Sequence, residues 1–152
     1  MNQSNFLLDQ ILESWKEDCK IPFNNLDEVS RQTPSLHAKY LSLLSQTKLR
    51  LKKAEMDQKI LLKDKFLYYE GKMTQEDIES RGWDYDPYDG LRILKGEKNH
   101  YYDSDKDIQN SESKIQYLKT VIDTLNEIVD SLKWRHQTIG NMIKWKVFEA
   151  GG

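Results

Sequence analysis

Four lysine residues are spaced so that they would lie close together on one helix. At 100° per residue they fall within a narrow arc beside an apolar face; they are Lys48, Lys52, Lys59 and Lys63. Ammonium groups in such a row can bind the phosphates of a polyanion without any covalent step. The alternative is the ordinary solvated face of a helical bundle, which can have the same spacing. The pattern therefore indicates an anion-binding element or a plain charged surface.

Residues that would support catalysis or metal binding do not occur in a recognisable arrangement. The sequence has no glycine-rich phosphate loop, no GxSxG and no HExxH motif. His37, His100 and His136 share no ligand spacing with one another or with Cys19. The aspartate-rich stretches also lack the glutamate that closes an EF-hand loop. We therefore expect no enzyme activity, no cofactor and no metal.

Charge is distributed unevenly along the chain. Residues 34–73 carry a net charge of +5 and residues 74–112 a net charge of −6, although the whole chain of 152 residues has a net charge of only −2. Residues 113–152 carry a net charge of +2, so a polyanion would meet this segment and residues 34–73. The single cysteine and the lack of an apolar run of about 18 residues predict a soluble intracellular protein without disulfides or a membrane span.

One long helix should position the lysine residues. Thr33 is a suitable cap, Pro34 suits the first helical position and Gly71 suits the left-handed position after the last turn. These signals predict a helix of about 36 residues. A shorter amphipathic helix, residues 4–20 with Ser4 as its cap, should precede it, with a connecting loop between the two.

The acidic segment that follows the long helix should be a connector. Thr74 and Asp77 have capping-box spacing, and a two-turn helix should end at Gly82. The aromatic and acidic stretch after it contains Pro87 and Gly90, which indicates a loop or a small hairpin.

The last third of the chain has an apolar seam with regular 3-4 spacing, interrupted by His136. The seam predicts an oligomerising helix; its apolar members are Ile115, Leu118, Ile122, Leu125, Val129, Leu132, Ile139 and Ile143. The alternative is that the seam packs on the long helix of its own chain. Trp134 and Trp145 are interface anchors or half-buried residues.

The resulting fold prediction is mainly α. It comprises a long antiparallel helical hairpin with a short N-terminal helix and a loop or small hairpin insertion. We expect an N-terminal helix and linker over residues 1–33 and a helical domain over 34–152. That domain would contain a basic helix (34–71), an acidic connector (72–110) and the oligomerising helix (111–148).

Five short segments together resemble one protein family. Residues 62–71 read LKDKFLYYEG, and further likeness lies at 105–107, at 116–117, at Lys133-x-Arg135 and at 148–151. In this order they resemble UvsY, the recombination mediator family of T-even-like bacteriophages, whose motif reads Leu-Lys-x-Arg-x-x-Tyr-Tyr-x-Gly. The resemblance covers the chain from about residue 36 to its end.

The resemblance implies a function and a set of partners. Such proteins are similar in forming ring-like homo-oligomers, here a hexamer or heptamer, that bind single-stranded DNA. They help a RecA-like recombinase displace the single-stranded-DNA-binding protein, which places this chain in the cytoplasm of an infected bacterium. The rival interpretation is a non-catalytic coiled-coil scaffold or adaptor without DNA binding.

By position, the resemblance also implies a set of DNA contacts, of which only Lys63 belongs to the lysine stripe. Lys63 and Lys65 would bind phosphates, Tyr68 or Tyr69 would stack on bases, and the last helix would add contacts of its own; these are Lys133 and Arg135. Lys65 replaces the arginine of the family motif and so lacks its bidentate fork for phosphate. Lys65 also projects near the apolar seam, so the alternative is a lysine at the edge of an apolar interface. Tyr69 lies on the apolar face, which favours packing of the tyrosines over stacking on bases.

Overall fold

The computed structural model describes residues 3–152, with side chains from Leu7 onward. Five α-helices and one short 3-10 helix occur in these residues. They are α1 (Gln3–Asp18), α2 (Leu26–Tyr69), α3 (Gln75–Arg81), the 3-10 helix (Lys95–Glu97), α4 (Lys98–Asp103) and α5 (Lys106–Glu149). No strand occurs between residues 3 and 152, so the mainly-α prediction is confirmed and the stretch after α3 is a loop rather than a hairpin.

Helix α2 begins at Leu26, eight residues before the predicted start. Leu26 and Val29 are buried against Ile139 of α5, and this packing holds the first turns in helical form. Thr33 is not a cap, because its hydroxyl donates a 2.9 Å hydrogen bond to the Val29 carbonyl. Pro34 lies inside the helix. Tertiary packing therefore outweighs the local preference of Pro34 for a first turn.

The predicted end of α2 is confirmed. Gly71 has a φ of 70°, the left-handed conformation that a residue without a Cβ adopts at little cost. Its amide donates to the Tyr68 carbonyl at 3.3 Å, and the Lys72 amide donates to the Leu67 carbonyl at 2.8 Å. These two bonds end the helix. After them the chain reverses direction beside the last turn of α2.

The short helix α3 also follows its sequence signals. The Thr74 hydroxyl accepts a 3.2 Å hydrogen bond from the Asp77 amide, and Gly82 ends the helix with a φ of 71°. The cap at Thr74 and the end at Gly82 are both confirmed.

The chain forms two compact units. The first contains residues up to Arg50 together with Tyr117–Gly152, and the second contains Leu51–Gln116. Helices α2 and α5 contribute to both.

The first unit has its core where three helices meet. Ile11 of α1, Tyr40 of α2, and Val121 and Leu125 of α5 are all buried there. The Tyr40 hydroxyl donates to the Asp18 carboxylate at 2.7 Å, which links α2 to the end of α1. The predicted N-terminal helix is therefore present, but its expected cap Ser4 lies among the residues whose side chains are outside the description.

Most of the apolar seam of α5 is buried within the chain itself. The buried members are Ile115, Leu118, Leu125, Val129, Leu132 and Ile139. Ile122 is half-buried, and Ile143 is exposed. His136 is exposed too, so it is not a seam residue. These six side chains are thus held by packing within one chain, which is the alternative that the sequence left open. Their expected place between subunits stays a prediction that this burial does not favour.

Candidate nucleic-acid interface

The lysine stripe lies on the solvent-exposed face of α2. Lys52, Lys59 and Lys63 of the second unit are exposed, as is Lys48 in the part of α2 that belongs to the first unit. None of the four ammonium groups forms an ion pair with a carboxylate among residues 7–152. These four side chains are therefore available to bind an anion.

Apolar side chains share this exposed face with the lysines. In the second unit, Met56, Ile60 and Phe66 are each about half exposed. The sequence pattern did not single out these three residues, because it does not show which apolar side chains the rest of the fold leaves uncovered.

Lys65 has a different environment from Lys63, although only one residue separates them. Its side chain is 4% exposed, and its Nζ lies 2.9 Å from a carboxylate oxygen of Asp105 and 2.9 Å from one of Asp107. The same ammonium group lies 3.8 Å from the centre of the Trp83 ring. Since these groups enclose the charge, Lys65 joins α2 to the acidic segment, and its expected contact with phosphate is not available in this conformation.

The carboxylate of Asp105 is stabilised in its charged form. Burial alone would raise its pKa, but hydrogen bonds from Tyr69, from Lys65 and from the Ile108 amide outweigh burial and lower the pKa. The Tyr69 hydroxyl donates to Asp105 at 2.6 Å. Burial and this bond together raise the pKa of Tyr69. The three side chains of Lys65, Asp105 and Tyr69 therefore form one coupled polar group.

Tyr68 and Tyr69 are both buried. The Tyr68 hydroxyl donates to the Asp84 carbonyl at 2.6 Å, and the two rings pack with Trp83, Tyr88 and Tyr102. Neither ring face is open to a nucleobase in this conformation. The stacking role that the resemblance implied for them remains a prediction that this packing does not favour.

Lys133 and Arg135 of α5 also differ from each other. Lys133 is exposed, with its ammonium group 3.5 Å from Asp130. Arg135 is buried and donates to the carbonyl oxygens of Asp18 at 2.7 Å and Lys20 at 3.2 Å, just where α1 ends. A guanidinium group at this point satisfies carbonyls that the helix leaves unpaired. Arg135 therefore fixes the end of α1 to α5.

Two carboxylates of α2 near the end of the lysine stripe are paired with cations of the acidic segment. Asp64 forms an ion pair with Arg81 of α3, and Glu70 forms one with Lys98 of α4 at 3.1 Å. The acidic segment thus supplies the cations that neutralise these two acids. Glu55 lies one helical turn from both Lys52 and Lys59, and the four lysines of the stripe outnumber this one carboxylate.

The described residues lack two other kinds of site. Between residues 3 and 152, no group of three or more histidine, cysteine, aspartate or glutamate side chains is placed to hold a metal ion. No helix in the same range has an apolar stretch that is long enough to cross a membrane.

Comparison with known proteins decides the family. The sequence model of the family described as "Recombination, repair and ssDNA binding protein UvsY" matches residues 14–152. This chain belongs to the UvsY family. The segment at 62–71 and the other four segments of the resemblance all lie inside the matched region.

Individual relatives agree with this assignment. The recombination protein uvsY of Enterobacteria phage T4 is 27% identical over 144 residues, which is 95% of this chain and 98% of that protein. Two crystal structures of the bacteriophage T4 recombination mediator protein UvsY have a similar fold. One has a TM-score of 0.74 at 23% identity, covering 93% of this chain and 98% of that chain. The other has a TM-score of 0.75 at 24% identity, covering 93% and 96%.

Proposed function

We propose that this member of the UvsY family is a recombination mediator that binds single-stranded DNA through the exposed face of α2. The observation that carries the proposal is the row of unpaired lysines at 48, 52, 59 and 63. Phosphates of a flexible single strand can follow such a row, and the binding energy comes from counterion release. Lys65, Tyr68, Tyr69 and Arg135 are left out of the proposed interface, because internal contacts occupy them.

The finer part of the proposal concerns the partners. DNA held on α2 would be passed to a RecA-like recombinase in place of a single-stranded-DNA-binding protein, in the cytoplasm of an infected bacterium. No bond is made or broken in the DNA by this chain, and ATP is hydrolysed by the recombinase. Mediation then depends only on competing affinities for one strand.

A homo-oligomer would strengthen weak binding by each chain, since a ring presents many copies of the lysine row to one strand. An exposed stripe near the end of α5 is the surface best suited to join subunits. It has 4-3-4-3 spacing and consists of Trp134, Thr138, Asn141, Trp145 and Phe148. The Trp145 and Phe148 rings stack with their centres 5.5 Å apart, which gives the stripe an aromatic end.

DNA binding is tested by the fluorescence anisotropy of a labelled oligo-dT with the wild-type protein at several salt concentrations. We expect log affinity to fall linearly with log salt, with a slope near −0.7 for each phosphate neutralised. A folded wild-type protein that does not bind at low salt would contradict the proposal and favour the coiled-coil scaffold.

Mediation is tested separately from DNA binding. The DNA-dependent ATPase activity of a RecA-like recombinase is measured on oligo-dT that is already covered by the single-stranded-DNA-binding protein. Adding this chain should shorten the lag before ATP hydrolysis. An unchanged lag, with DNA binding intact, would contradict mediation alone.

A further inference from the structure

Phe66 differs from the other aromatic residues of α2. Tyr40, Tyr68 and Tyr69 are buried, whereas Phe66 is 47% exposed. The tyrosine hydroxyls need hydrogen-bond partners and find them inside the chain, for example Asp105. A phenyl ring has no such requirement, and the fold leaves one edge of α2 uncovered at this position.

Three lysine residues lie near the exposed ring along this edge of α2. Lys63 precedes Phe66 by three residues, and Lys59 precedes it by seven, so both lie on the same side of α2. The left-handed turn at Gly71 brings Lys72 back along the helix, where its ammonium group lies 5.5 Å from the centre of the Phe66 ring. One ammonium group therefore lies over the Phe66 ring, and two further lysines precede the ring on the same side of α2.

Negative charge close to the ring is neutralised. Asp64 and Glu70 are the carboxylates nearest to Phe66 along α2, and each is held in an ion pair by a residue of the acidic segment. The surface around the ring consequently combines an apolar face with net positive charge. A ligand that complements it needs a flat apolar group flanked by anions.

We propose that Phe66 is the platform on which a base of single-stranded DNA stacks, with Lys63 and Lys72 binding the phosphates on either side of it. This assignment rests on the proposed function and deepens it by naming the groups that contact base and backbone. Stacking on an aromatic ring tolerates any base, because every base has a π face. A second copy of this chain is a poorer occupant, since it would have to bury or repel the surrounding ammonium groups.

The test compares two labelled oligonucleotides of equal length, oligo-dT and an abasic sugar-phosphate strand, in binding to wild type and to Phe66→Ala. We expect Phe66→Ala to weaken oligo-dT binding about fivefold or more, leaving the abasic strand and the salt dependence unchanged. Tyr85→Ala is the matched control, because Tyr85 is an exposed aromatic residue in the loop after α3. It should bind both strands as wild type does.

Lys72→Ala gives an independent measurement. It should reduce the magnitude of the salt slope by about 0.7, the contribution of one phosphate to a single strand. An unchanged slope would contradict the role of Lys72.

Other outcomes separate this inference from the proposed function. If wild type binds oligo-dT and Phe66→Ala binds it equally well, the stacking assignment is wrong while the DNA-binding proposal stands. If Phe66→Ala weakens both strands equally and light scattering shows a smaller oligomer, the ring contacts another subunit instead. If wild type binds neither strand, the proposed function itself fails.

Discussion

At the scale of single residues, Lys63 and Lys65 show how far apart the roles of two similar side chains can be. Lys63 is exposed and without a carboxylate partner among the described residues, whereas Lys65 is enclosed by Asp105 and Asp107. Sequence spacing places both lysines on α2, but the acids that capture Lys65 lie about forty positions later. The helical period places Lys65 near the apolar face of α2, but no local pattern could have identified the acids that pair with it.

Alanine substitution should separate the two lysines. Lys65→Ala leaves the buried Asp105 without its cation, so we expect it to lower the free energy of unfolding by about 3 kcal/mol or more. Lys63→Ala should change that free energy by less than about 0.5 kcal/mol while weakening DNA binding. Urea unfolding followed by circular dichroism measures both values. Equal stability of the two variants would contradict the buried ion pair.

Asp105 should also make stability depend on acid pH. The pKa of Asp105 is lower in the folded chain than in the unfolded chain. At pH values between these two pKa values, the unfolded chain therefore binds more protons than the folded chain does. The stabilisation is complete above about pH 3.9, the ordinary value for aspartate, and is lost as the pH falls towards the lower folded pKa. Urea midpoints between pH 5 and 2 should fall less steeply for Asp105→Asn than for wild type. Asp123→Asn, at an exposed site, should match wild type.

At the scale of helices, ends that depend on local chemistry were predictable and ends that depend on distant packing were not. Gly71, Thr74 and Gly82 sit at the positions that the sequence predicted, because their caps involve only near neighbours. The start of α2 depends instead on the contact of Leu26 with Ile139, more than a hundred residues later. A cap signal at Pro34 could not reveal that contact.

Pro34 inside α2 gives a prediction about that helix. Proline cannot donate the backbone hydrogen bond of a helix interior, so Pro34→Ala restores a missing donor. We expect the substitution to raise the free energy of unfolding by about 1–3 kcal/mol, measured by urea unfolding. Ser35→Ala, at the next exposed position, is the control and should have a much smaller effect. A loss of stability in Pro34→Ala would show that the proline ring is required there.

At the scale of the whole molecule, the α5 seam was visible in the sequence but the surface it faces was not. An apolar 3-4 pattern needs a partner, and the pattern is the same whether that partner is another subunit or the same chain. The core of α1, α2 and α5 supplies the partner here. The stripe that ends at Trp145 and Phe148 is exposed, and it is the surface that we propose for contacts between subunits.

Two charged substitutions should therefore behave differently. Leu125 is completely buried, so Leu125→Asp places a charge in the core and should unfold the first unit, seen as lost helicity in circular dichroism. Trp145→Asp lies on the surface and should keep its helicity while light scattering shows a smaller oligomer. A folded but dissociated Leu125→Asp would instead place the seam between subunits.

The salt dependence of DNA binding by the double variant Lys59→Ala/Lys63→Ala tests the central claim most directly. Lys16→Ala/Lys20→Ala is the matched control. It removes two exposed lysines, one in α1 and one just after it, that already pair with glutamates of α1. We predict that the first variant binds oligo-dT more weakly, with a salt slope smaller in magnitude by about 1.4, and that the control binds as wild type does. Unchanged affinity and slope in a folded Lys59→Ala/Lys63→Ala protein would contradict DNA binding on the exposed face of α2.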